Sequence, residues 1–364
     1  MDGSTFDTYR STRFFVGLNG VRALSILAVL WHHTDNVWFG WPALARGFLG
    51  VDVFFVLSGF LIVTLLLRER EATQRVDLSR FYLRRTFRIF PLYYAGILIY
   101  FVATRVFSGT SAFEAEPFDD ALPFLALYVA NWHLGAPHCF AHAWSLAAEE
   151  QFYLVWPPLE RWFAGRLAPI LVAALLVNQA INFGLVTWLW PSFERFQAGL
   201  EILQVTFTPM LLGIALAYAL HHRESYQRVA KWVAGRRTAI VLIMVGIIVA
   251  PIEDIQGAPR LVFHVAATLA LANLIIDPDA RLVQWLEWAP LRRLGEVSYG
   301  VYVLHMLVVL IAAGVLARLG VRDIPGLLMV VSTLGTWGLA EISFRTFESP
   351  FLRLKDRFGH AKAV

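Results

Sequence analysis

Apolar runs of about 20 residues, almost free of charge, recur along the whole chain, and they constrain its fold more than any other feature. In hydrocarbon every backbone N–H and C=O must find a partner inside the protein, and about 20 apolar residues wound as an α-helix cross a core of roughly 30 Å. Ten runs of this kind are read as spanning helices, near residues 17–34, 48–67, 90–107, 143–160, 168–189, 201–220, 238–252, 260–276, 298–317 and 326–347. An eleventh run, Leu122–Leu134, is too short to cross and contains Pro123 and Asn131, so it reads as a short helix at the outer face. The 364 residues are 58% hydrophobic and 16% charged, which fits an all-α polytopic membrane protein. A single transmembrane domain with a core over about 17–351 and short tails is expected, with no soluble domain in the pattern.

Basic residues then assign the sides. With both termini in the cytoplasm, 23 lysines and arginines fall in the inner segments, seven of them within 68–89, and 6 lie in the outer segments or at the span ends facing them. Counting Leu122–Leu134 as a span would turn the later basic loops outward, against the positive-inside tendency. The pI near 9.3 therefore reports orientation and calls for no nucleic acid. Cys139 is the one cysteine, so no disulfide can form within the chain and no thiolate metal site is expected. The N-terminal segment lacks a short apolar core with a cleavage site, so the first span is expected to stay as an anchor.

Within these apolar runs a few ionisable groups stand out, because such groups are expensive in a membrane and usually face a bundle interior. Arg22 and His33 lie eleven residues apart in GLNGVRALSILAVLWHH. Eleven helical steps return almost to the same azimuth, so the two share a face about 16 Å apart, with His32 turned roughly 80° away. Arg84, Arg85 and Arg88 cluster before Pro91, offering planar guanidinium groups suited to phosphate oxygens or to anionic lipid. The fourth span opens with His142, Trp144, Ser145, Glu149, Glu150 and Tyr153. With this topology His33, Asp52 and Glu149 fall at comparable depth in the outer half, as a proton-transfer site requires. Asp52 also suits a structural hydrogen bond near a helix start.

Five strings, GLNGVRALSILAVLWHH, GFLGVDVFFVLSGFLI, FYLRRTFRIFPLYY, HAWSLAAEEQFYLVWP and LGEVSYGVYVLH, occur in an order and spacing that closely resembles the membrane acyltransferase type 3 family. The resemblance runs from about Gly17 to the FESPF of Phe347–Phe351. Members of that family O-acylate bacterial surface glycans and some secondary metabolites. Its arginine, ten intervening residues and histidine fall on Arg22 and His33, its RRxxR element on Arg84, Arg85 and Arg88, and its WSLxxE element on Trp144, Ser145 and Glu149.

The resemblance implies transfer of an acyl group, acetyl above all, from cytoplasmic acyl-coenzyme A to a hydroxyl of a glycan, glycolipid or similar acceptor in the bacterial cell (inner) membrane. It implies that Arg22, Arg84, Arg85 and Arg88 bind the donor and that His33 is the general base, oriented by Glu149 or Asp52, with no metal. An acyl-histidine intermediate stays open as an alternative. Trp144, Ser145, His142 and Tyr153 are expected to contact substrate. His264 and Asn273, His305, and Asn178, Gln179 and Asn182 are read first as interhelical hydrogen-bonding groups, with the lining of an acceptor path as the second reading. Some relatives append an extracytoplasmic esterase-like domain, whereas here a standalone form is expected. A proton-coupled carrier of an acylated or anionic metabolite is the rival reading.

Overall fold

A computed structural model of the chain describes residues 4–12, 14–34, 46–107, 113–133, 135, 137–189, 197–252 and 255–357. The described residues form helices and connecting turns, with no strand among them. The α-helices are α1 (Ser4–Ser11), α2 (Leu18–His32), α3 (Leu49–Thr73), α4 (Leu78–Val106), α5 (Ala115–Ala126), α6 (Ala143–Trp162), α7 (Leu167–Asn182), α8 (Leu185–Leu189) and α9 (Gln197–His221). They continue as α10 (Arg223–Val233), α11 (Arg236–Val249), α12 (Ala258–Ile276), α13 (Arg281–Leu286), α14 (Ala289–Glu296), α15 (Ser298–Arg318), α16 (Leu327–Ser343) and α17 (Ser349–Arg357).

Each expected span falls on a helix. Five helical stretches are individually long and apolar enough to cross a membrane: α3, α4, α12, α15 and the run Leu327–Leu354 that passes through α16 into α17. The chain is a multi-pass helical membrane protein. The first expected span is shorter than its apolar run, because α2 ends at His32 and His33 is the next residue. The fifth is broken where Gly184 turns at φ +71° between α7 and α8. Leu122–Leu134 is divided between the end of α5 and a turn of 3-10 helix at Ala130–Trp132.

The helices cluster as two units. The first draws on Met1–His32, Phe39–Glu69 and Phe163–Glu296. In it α2 packs on α14 at backbone contact: a Cβ on Gly295 would stand 1.8 Å from the Asn19 carbonyl oxygen. The Gly17 N–H, one of the orphan donors at the start of α2, bonds Glu287 Oε1 at 2.7 Å. Arg68 donates to the carbonyls of Thr12 and Tyr9, which ties the polar helix α1 to α3.

The second unit draws on His33–Trp38, Arg70–Trp162 and Val297–Val364. Asp77 caps α4 by accepting the Arg80 N–H, a role that short acceptor side chains fill well. Further along α4, Gly96 admits α15 so closely that a Cβ would stand 2.7 Å from Val303 Cγ1. One turn later the Tyr100 hydroxyl donates to the Val303 carbonyl at 3.1 Å and accepts the Leu307 N–H at 2.9 Å. These contacts lock α4 to α15, and α16 covers another face of α15.

Candidate active site

A polar column runs through the apolar interior of the second unit, built by helical repeats on two of its helices. On α6, Ser145, Glu149 and Tyr153 recur every fourth residue and share a face over about 12 Å. On α15, Tyr299, Tyr302 and His305 recur every third residue. The α4 arginines complete the column at one end, and His33 at the other.

At the arginine end, the Arg85 guanidinium lies 4.2 Å from the centroid of the Tyr153 ring, a close cation–π contact. The Tyr153 hydroxyl donates to Glu149 Oε1. Arg88 interacts electrostatically with Glu149, Tyr153, Tyr299 and Glu348. Its side chain is exposed at this end of the column. Tyr299 donates to the Ile89 carbonyl at 2.7 Å, holding α15 against this part of α4. Glu348 is buried in the π-helical turn Phe344–Glu348 and accepts from Ser343 Oγ at 3.0 Å. Single π-turns often mark functional sites, because they aim one side chain off the regular helical face.

At the other end, three imidazoles meet. The His33 and His305 ring centroids are 5.1 Å apart, and those of His305 and His142 are 4.5 Å apart. His142 Nε2 faces the Val303 carbonyl at 3.3 Å, and His305 Nδ1 faces the Tyr302 carbonyl at 2.6 Å. Ser145 Oγ and the Tyr302 hydroxyl are 2.5 Å apart, and each is 3.1 Å from the His142 carbonyl. This triangle can use both hydroxyl protons, so Ser145 serves to fix the backbone of His142 and is poorly placed as a nucleophile. Among the described residues no three His, Cys, Asp or Glu side chains are arranged to hold a metal ion.

Of the residues singled out in the sequence, His33, His142, Ser145, Glu149, Tyr153, Arg85 and Arg88 thus belong to one column. Arg84 and Trp144 are half-buried on the same two helices, α4 and α6. Arg22 and Asp52 belong to the first unit. Arg22 donates to Asn19 Oδ1 at 3.2 Å, one turn earlier on α2. Asp52, expected as an orienting acid or a structural hydrogen-bonding group, is the centre of a buried ion pair: Oδ1 and Oδ2 accept from Arg260 at 3.0 Å each, and Oδ2 also meets His264 Nε2 at 2.9 Å. Three strong donors occupy its oxygens. His264, read as an interhelical hydrogen-bonding group, has that role here.

Arg260, Tyr299, Tyr302 and Glu348 escaped the sequence reading, and His305 was given a structural role. The signal for Tyr299, Tyr302 and His305 was their three-residue spacing within LGEVSYGVYVLH. Glu348 lies in the FESPF string, where only its place at the end of the resemblance was used.

A helical membrane bundle whose second unit holds an imidazole cluster at one end of a polar column and an arginine pair at the other defines an integral-membrane protein with ionisable groups in its interior. The chain belongs to the acyltransferase domain family, the acyltransferase type 3 proteins, whose family model matches residues 15–341. It is similar to the peptidoglycan O-acetyltransferase OatA of Listeria monocytogenes, with 29% identity over 94% of this chain and 56% of that protein. The O-acetyltransferase OatA of Staphylococcus aureus is 29% identical over 93% of this chain and 57% of its own length. The putative O-acetyltransferase SACOL0978 of the same species is 27% identical over 95% of this chain and 58% of its own. The chain spans less than three fifths of the length of these relatives. No solved structure matches it.

Proposed function

We propose that the chain is an O-acyltransferase of the bacterial cell membrane that moves an acetyl group from acetyl-coenzyme A to a hydroxyl of a glycan. Family membership and the names of its relatives support the reaction class. The observation that carries the rest is the column joining Arg85 and Arg88 to His33 through side chains of a single unit.

Phosphate oxygens of the donor are bound by Arg84, Arg85 and Arg88, since guanidinium forks form charge-assisted hydrogen bonds with such oxygens. Glu149 and Glu348 face Arg88 and hold its charge in place until the anion arrives. The thioester is carried along the column to His33. An imidazole titrates near working pH, so His33 takes the proton of the acceptor hydroxyl as its oxygen attacks the thioester carbon. A C–O bond forms, the C–S bond breaks, and the thiolate leaves with the proton returned by His33. Both termini are assigned to the cytoplasm, which places the arginine end on the donor's side.

Purified protein tests the proposal. His33-dependent release of coenzyme A from acetyl-coenzyme A is expected, together with ester formation on the acceptor. Proton-coupled uptake into proteoliposomes without thioester turnover would replace the enzyme with a carrier.

A further inference from the structure

His142 and His305 each have one ring nitrogen bonded and one left over. A carbonyl oxygen can only accept, so His305 Nδ1 and His142 Nε2 must carry the protons in their bonds to Tyr302 and Val303. In the neutral rings, His305 Nε2 and His142 Nδ1 are therefore lone pairs. Both atoms are buried and neither has a hydrogen-bond partner among the described residues, in side chains 0% and 4% exposed. Buried acceptors left unmet are uncommon and call for an explanation. The nearby hydroxyls do not supply one, because Ser145 and Tyr302 direct their protons to each other and to the His142 carbonyl.

The His305 ring lies 5.1 Å from that of His33 and 4.5 Å from that of His142, and no donor among the described residues reaches either lone pair. We propose that His305 Nε2 and His142 Nδ1 bind hydroxyl groups of the acceptor next to the one that His33 deprotonates, so that the site selects a polyol such as a sugar ring over an isolated alcohol. This rests on the acyltransferase reading. One hydroxyl has a single proton and can satisfy a single nitrogen, so a cluster of three imidazoles matches adjacent hydroxyls, one for the base and others for the accepting pair. The walls add shape: Phe140 and Tyr302 set their rings nearly perpendicular to His142, at centroid distances of 4.9 and 5.4 Å. His305 and His142 are specificity residues here, and His33 remains the base.

Inverted membrane vesicles from cells making the full chain, loaded with a methyl hexoside as the acceptor probe, expose the cytoplasmic side to labelled acetyl-coenzyme A. Two products are read, base-labile acetyl ester in the vesicles and free coenzyme A, and their ratio measures how well the acceptor is held. In His305→Ala the ratio should fall about tenfold, the loss expected for one hydrogen bond to a buried acceptor, with label diverted to free acetate. His305→Gln, which keeps an acceptor near the position of Nε2, should recover much of it. An unchanged ratio in His305→Ala overturns the proposal. So does an equal loss of both products that glutamine does not restore, since that marks a packing role. Failure of the parent reading looks different: vesicles with unaltered His33 then release no more coenzyme A than His33→Ala vesicles do.

Discussion

Arg260 grips Asp52 with two hydrogen bonds of 3.0 Å, one to each carboxylate oxygen, in a site where both side chains are at least 95% hidden from solvent. His264 adds a third contact from the next turn of α12. Breaking a buried pair by removing one partner leaves an uncompensated charge, a loss of about 3–5 kcal/mol, whereas replacing both by apolar groups is often neutral. Arg260→Met is therefore expected to lower the melting temperature in detergent sharply, and Asp52→Leu combined with Arg260→Met to lower it much less. Equal losses in the single and double variants would contradict a charge-pair origin.

His33→Ala should reduce ester formation by about 10² to 10⁴-fold, the usual contribution of a general base, while the protein still inserts and elutes as the native form does. Retention of full transfer would remove His33 from the mechanism.

At the other end of the column, Arg88→Met should weaken binding of coenzyme A by roughly ten-fold or more, as loss of a charge-assisted hydrogen bond does. Binding of desulfo-coenzyme A, measured calorimetrically, checks this without turnover. Undiminished affinity in a combined Arg84→Met, Arg85→Met and Arg88→Met variant would return the cluster to anchoring on anionic lipid.

Gly295→Ala should destabilise the α2–α14 contact by about 1–3 kcal/mol, since the added methyl meets the Asn19 carbonyl at a distance no carbon tolerates. Thermal unfolding of the purified variant reads the effect. A neutral result would mean that α14 can shift freely.

Sidedness can be labelled directly, because Cys139 is the only cysteine. In a Cys139→Ser background, Arg75→Cys should react with a membrane-impermeant maleimide only from the cytoplasm, and Asp323→Cys only from outside; both positions are exposed. The reverse pattern would invert the assigned topology.

Much of this architecture was legible from residue order. Apolar run length alone identifies helices, because hydrocarbon leaves the backbone few alternatives. Fixed spacing within a helix also predicts shared faces, which is how Arg22 and His33 read as a pair on one helix. Asp52 and His305 resisted the same logic. Depth along the membrane makes Asp52 a plausible neighbour of any group at its level. Its true partner, Arg260, lies 208 residues away, and no local pattern encodes that pairing. The neighbours of His305 are hidden for the same reason: spacing gives a residue's azimuth and height on its own helix, and says nothing about which ring stands on the next.

The sequence by itself thus determined the membrane class and the family, and it marked which ionisable residues stand in apolar runs, since these follow from composition, periodicity and ordered motifs. Only the tertiary structure decided who meets whom. Gly96 meets Val303 where α4 and α15 pack, the Val303 carbonyl faces His142, and the His305 ring lies against that of His33, because contact is a property of three-dimensional neighbours.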